Sequence, residues 1–105
     1  MRKEQLFADV IQDLLSARKS GALYVNILET SEDILRMYFK DGQIYHLRYG
    51  TAIGNDCLDI LEYYNLYSAT FFEGIKAPDK PPADLPSTKE ILARIRPLNK
   101  IVKVT

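Results

Sequence analysis

Cys57 and His46 are the only thiol and imidazole in this chain of 105 residues. Nucleophilic or proton-transfer chemistry would have to use one of them, or a carboxylate, held by an orienting partner. Cys57 falls on the apolar side of a helical pattern, where a free cysteine behaves as a small hydrophobe. His46 falls in an apolar strand pattern, where a packed, hydrogen-bonded ring is expected and a pH-sensitive role is the alternative. Asp56, Asp59 and Glu62 recur at i, i+3 spacing. They could bind a hard cation or dock a basic partner, but three carboxylates in a row on a helix usually face water. No GxGxxG or GxxxxGK[ST] run is present, so there is no nucleotide fingerprint. The expectation is no catalytic residue, no metal and no cofactor.

The tyrosines are more informative. Tyr24, Tyr38, Tyr45 and Tyr49 fall in three strand-like runs, with Arg36 and Lys40 among them. Cross-strand aromatic pairs stabilise a sheet, yet an open sheet face usually carries more polar residues than this. Tyrosine is favoured at interfaces because it joins an apolar body to a polar tip. The face could meet a partner or second copy, lie under the chain's own helix or tail, or face water. The first is expected, with Tyr24, Arg36, Tyr38, Lys40, Tyr45 and Tyr49 as candidate contacts and Asp56, Asp59 and Glu62 as a second surface. The basic C-terminal run of Lys89, Arg94, Arg96, Lys100 and Lys103 gives the chain a charge polarity that head-to-tail or homodimeric contacts could use.

These side chains must be positioned by local elements. Leu6, Phe7, Val10, Ile11, Leu14 and Leu15 predict an amphipathic helix over residues 3–17, ended at Ser20-Gly21. Residues 22–28, 34–40 and 43–49 alternate as strands. Asp41-Gly42 joins the last two as a type I′ hairpin. A polar loop, Glu29 to Asp33, separates the first two. Taken with that turn, Phe39 is expected opposite Ile44, Tyr38 opposite Tyr45 and Met37 opposite His46. Across the acidic loop, Val25 is expected opposite Met37 and Tyr24 opposite Tyr38. One face then carries Leu23, Val25, Ile27, Leu35, Met37, Phe39, Ile44 and His46. The other carries Tyr24, Tyr38, Tyr45, Leu47 and Tyr49. A second helix runs from Ile53 to Tyr64, and a fourth strand from Ser68 to Glu73. Pro78, Pro81 and Pro82 stiffen the loop that follows. Ser87-Thr88-Lys89-Glu90 is a capping box opening a third helix, which Pro97 ends. Residues 97–105 are a tail or an added edge strand.

The order α-β-β-β-α-β-α predicts an α+β fold, an antiparallel meander plus a fourth strand with three helices mainly on one face. Residues 1–105 form one domain on this reading. Lys+Arg and Asp+Glu balance at 14 each, which gives no long-range pull toward phosphate backbones or anionic membranes. A single cysteine excludes a disulfide framework. No leader pattern or apolar run of membrane-spanning length is seen, so a cytoplasmic setting is expected.

Several segments together resemble the PATAN domain, the N-terminal domain of PatA-type bacterial signalling proteins. Leu14-Leu15-Ser16-Ala17-Arg18-Lys19-Ser20-Gly21-Ala22-Leu23 is similar to its opening, and residues 37–46, Met37 to His46, to its hairpin. Gly54 to Leu61 is similar to its middle helix, Ala69 to Gly74 to its later strand, and Ser87-Thr88 to the start of its last helix. The chain departs from the pattern at Leu47, Cys57 and Ser68-Ala69-Thr70. The resemblance implies a non-catalytic protein-protein interaction module in bacterial signal transduction, within a two-component system, docking a response-regulator receiver or similar signalling partner. The alternative is a single-stranded nucleic-acid-binding module that uses the aromatic sheet face. The neutral net charge and the acidic helix count against it.

Overall fold

A computed structural model describes residues 3–30, 33–78, 80 and 84–105. Ser31 and Glu32 of the acidic loop, and Pro81 and Pro82 of the later one, lie outside the described residues. In chain order the elements are β1 (Lys3–Leu6), α1 (Phe7–Ser16), β2 (Gly21–Ile27), β3 (Ile34–Lys40), β4 (Gln43–Tyr49), β5 (Ala52–Ile53), α2 (Asn55–Tyr63), β6 (Leu66–Glu73), α3 (Thr88–Ile95), a 3-10 turn (Arg96–Leu98) and β7 (Ile101–Val104). The described residues form an α+β fold with one seven-stranded sheet, ordered β1-β7-β6-β2-β3-β4-β5. Every strand pair is antiparallel except β6 with β7, so the sheet is mixed.

The helices share one side of the sheet. Phe7, Val10, Ile11 and Leu15 of α1, Cys57, Leu58 and Leu61 of α2, and Ile91 and Ile95 of α3 join one core with Leu23, Val25, Leu35, Met37, Phe39, Ile44 and Leu47 of the strands. The 3.6-residue spacing of the helical apolar positions and the two-residue spacing of the strand positions put these side chains face to face. Burial of a full side chain of this kind contributes roughly 1.5–3 kcal/mol.

Four expectations need correction. First, the opening helix begins at Phe7, because Lys3–Leu6 pairs with Ile101–Val104 as a strand. Local sequence cannot foresee a partner almost a whole chain away. The Phe7 N–H donates to the Lys100 carbonyl at 2.8 Å, giving an uncapped helix start an external acceptor. Residues 101–104 are accordingly an internal strand, seated between β1 and β6 rather than at an edge.

Second, α1 ends at Ser16, next to the expected Ala17, but Gly21 is not what terminates it. Arg18 takes the left-handed conformation at φ 53°. Lys19 N donates to the Leu14 carbonyl and Arg18 N to the Leu15 carbonyl, each at 3.0 Å, which is a Schellman closure. Gly21 serves the sheet instead. A Cβ there would lie 2.3 Å from the Phe72 carbonyl oxygen and 2.8 Å from the Phe71 ring. Only glycine lets β2 and β6 approach so closely.

Third, β2 and β3 pair two residues away from the expected register, with Leu23 opposite Met37 and Tyr24 opposite Arg36. An even shift leaves each side chain on its face. Fourth, the hairpin is bulged. Asp41 and Gly42 have φ 50° and 80°, as a type I′ turn requires, and Phe39 faces Ile44. The register then slips by one residue, so Tyr38 faces His46 and Met37 faces Leu47. An extra residue in one strand exchanges the faces of everything beyond it. Leu47 therefore enters the core and His46 leaves it.

Gly21→Ala should lower unfolding free energy by about 2 kcal/mol or more, in line with overpacking against backbone. Chemical denaturation read by circular dichroism measures it; a loss under about 0.5 kcal/mol would show that β2 and β6 can separate freely.

Candidate functional site

The sheet side away from the helices holds the aromatic residues, and it divides into two halves. Over β4 and the hairpin half of β3 it is closed. Tyr38 is 2% exposed and His46 0%, although neither belongs to the helix-side core. Their rings stack at 5.8 Å with 23° between planes, and Tyr45 lies against Tyr38 at 6.2 Å. The chain leaving β6 turns back over this quarter, where the Ala77 N–H donates to the Tyr45 hydroxyl at 3.0 Å. It is then tied to the far edge of the sheet, where the Ile44 N–H donates to the Thr88 hydroxyl at 2.9 Å. A cavity of about 700 Å³ remains between this segment and the hairpin tip, lined in part by Lys40, Tyr45, Ile75 and Lys76.

Over β2, β6 and β7 the same face is open. Phe72 is 44% exposed and Tyr67 41%. Tyr24 meets Phe72 edge-on, with centroids 5.0 Å apart at 63°. The Arg36 guanidinium sits 5.1 Å from the centre of the Tyr24 ring. The Lys103 ammonium sits 5.0 Å from the centre of the Tyr67 ring. Each cation is thus held on a π face, an arrangement that contributes about 0.5–1 kcal/mol at exposed sites. Among the described residues no carboxylate lies within ion-pair distance of Arg36 or Lys103.

The six tyrosine-face candidates therefore separate. Tyr24 and Arg36 stand on the open half, and Lys40 is exposed at the hairpin tip, beside the cavity of the covered half. Tyr38 and Tyr45 lie on the covered half. Tyr49 is on the other side altogether, packed against the helix-side core with its hydroxyl bonded to Thr30. The bulge in β4 moves it there along with Leu47. Phe72 and Tyr67 were missed as partners of this face, because β6 enters the sheet beside β2 by a long-range pairing that periodicity does not encode. The alternation of Thr70 and Phe72 was the available signal.

The acidic stripe is largely committed within the fold. Arg94 of α3 pairs with Glu62 and lies 3.3 Å from Asp59, while its Nη1 donates to Asn55 Oδ1 at 2.9 Å. These bonds to Glu62, with Asp59 beside it, raise the Arg94 pKa further. The stripe thus fastens α2 to α3. Asp56 is exposed and stands outside this clamp. No group of three or more metal-ligating side chains occurs among the described residues.

Cys57 is fully buried, with its Sγ donating to the Ala52 carbonyl at 3.5 Å. Burial, followed by the charge of Asp56, pushes the thiol from 9.0 up to about 12. Its chemistry is that of a thiol and not of a thiolate nucleophile. Comparison with protein-family models, with curated proteins and with solved structures finds no match to this chain.

The folded protein should leave Cys57 unmodified by iodoacetamide at about pH 8, and denaturant should expose it to rapid alkylation. Between pH 9 and about 12 the unfolded thiol has lost its proton and the folded one keeps it. Stability relative to a Cys57→Ala variant should therefore fall as pH rises through that window. Fast alkylation of folded protein would show a mobile or accessible thiol.

Proposed function

We propose that this chain is a non-catalytic protein-docking module and that the open half of the sheet, around Tyr24, Arg36 and Phe72, is its docking surface. The carrying observation is the part-exposed aromatic cluster on the two central strands, left bare while helices cover the opposite face. Rigid aromatic side chains flanked by arginine are the residue types that concentrate binding energy at protein interfaces. A cysteine held as a thiol and a histidine buried against tyrosine support the non-catalytic reading. No described helix is long and apolar enough to cross a membrane. The PATAN resemblance supports a bacterial two-component setting in the cytoplasm, with a receiver domain or similar signalling protein as the partner.

Single-stranded nucleic acid is the second reading, favoured by two cations set beside aromatic rings on one face. Base stacking, however, needs free ring faces. Arg36 already occupies one face of Tyr24, and Phe72 abuts the ring edge-on. Lys103 likewise sits over Tyr67. The cations stand where bases would, so the protein reading is the stronger.

Affinity capture from a lysate of the source organism, with wild type beside a folded Tyr24→Ser/Phe72→Ser variant, tests the surface. A receiver-bearing protein should be recovered with wild type and reduced about tenfold or more with the variant. Its recovery should change little between about 50 and 200 mM salt, a range over which nucleic-acid binding would fall by orders of magnitude. Equal recovery with both proteins would remove this face from consideration.

A further inference from the structure

The charges on the open face say what kind of segment it takes. The charged strand residues of the open half are Arg36 and Lys103, with Glu4 beside Lys103 as the one strand carboxylate; Lys40 and Arg48 lie on the same side of the sheet, over the covered half. At the cavity that borders the open half, Lys40 and Lys76 stand with one carboxylate, Asp41. The whole chain is neutral, yet the open half carries two cations against one strand carboxylate, while Asp59 and Glu62 are engaged by Arg94 and Glu73 by Lys19.

Two of these cations are placed with particular care. Arg36 is opposite Tyr24, and Lys103 lies in register with Ser68 of β6. Three strand spacings and two residues of rise separate them, about 15 Å in all. Each rests over a ring, a contact that restricts its rotamers and leaves less entropy to be lost on pairing. On β6, one of the strands between them, the exposed ring of Phe72 meets Tyr24 edge-on and offers an apolar seat beside Arg36. We propose that the docking face takes an acidic, apolar protein segment: carboxylates engage Arg36 and Lys103, and an apolar side chain beside the Arg36 contact packs on Phe72 and Tyr24. The proposal rests on the docking reading above and adds the chemistry of the partner. Cation–carboxylate contacts of this kind steer encounter and select partners, and the apolar contact supplies residence time.

The test uses the full chain and four fluorescein-labelled probes, read by anisotropy: a twelve-residue peptide of Glu, Leu and Phe, the same peptide with Lys for Glu, one of Glu and Ser only, and a twelve-nucleotide oligothymidine. The Glu-Leu-Phe peptide should bind at least about tenfold more tightly than the other three. Amide shifts in NMR spectra should map it to Tyr24, Arg36, Phe72 and Lys103. Arg36→Glu/Lys103→Glu should weaken it about tenfold or more, and Arg36→Gln/Lys103→Gln should fall between that variant and wild type. A folded variant with unchanged affinity overturns the proposal, as does binding that maps elsewhere or no binding at all. Preference for the Lys peptide, mapped to this face, would keep the docking reading and sink the acidic chemistry. Preference for oligothymidine would sink both.

Discussion

One extra residue in β4 decides what each face of this sheet can do. Between Ile44, opposite Phe39, and His46, opposite Tyr38, the hairpin accommodates Tyr45 as a bulge. An unbulged ladder would point His46 into the helix-side core and Leu47 away from it. A polar imidazole would then need partners among aliphatic groups, while a leucine faced outward. The bulge reverses both. Leu47 becomes fully buried beneath the helices, and His46 stacks on Tyr38 across the sheet. Tyr45 itself is re-aimed to receive the Ala77 N–H, which holds down the segment that covers this quarter. The covered half and the core thus follow from the same irregularity.

The elements whose signals are local were legible. Asp41-Gly42 specified its turn because two consecutive positive φ values suit few residue pairs. Ser87 specified the start of α3, where its hydroxyl accepts from the Glu90 N–H at 3.2 Å. The alternation of Leu23, Val25, Leu35 and Met37 identified a buried face even though the register was off by two. What escaped depends on distant parts of the chain. β1 exists because β7 is there to pair with it. Gly21 reads as a helix terminator and serves instead as a gap for the Phe72 backbone. A bulge leaves alternation intact on either side of it, so the pattern of residues 43–49 gave two consistent solutions and no reason to choose the second.

The candidate site shows the same division. Its chemistry was visible in residue types, since tyrosines with interleaved arginine and lysine announce an amphipathic aromatic face. Its extent was not, because coverage by residues 74–78 depends on where the loop after β6 travels. The acidic stripe was legible as a stripe, but its partner Arg94 lies more than thirty positions away in sequence. Isolated surface ion pairs contribute about 0–1 kcal/mol. A guanidinium reaching Asn55 and Glu62, with Asp59 close by, has the geometry to fix helix orientation as well.

Charge also bears on self-association. A two-fold dimer through the open face would bring Arg36 and Lys103 of one copy toward a surface of the same sign, with Glu4 as the one strand carboxylate to offset them. Like charges across an interface disfavour pairing and fix which partners are refused. The apolar rings of Phe72 and Tyr67 would otherwise make a bare sheet face prone to such pairing. Cations laid over the rings bear on both: their stems cover apolar surface, and their charge disfavours a like-charged partner. On the proposed docking reading, the face remains open in the free protein and attracts a segment of opposite charge.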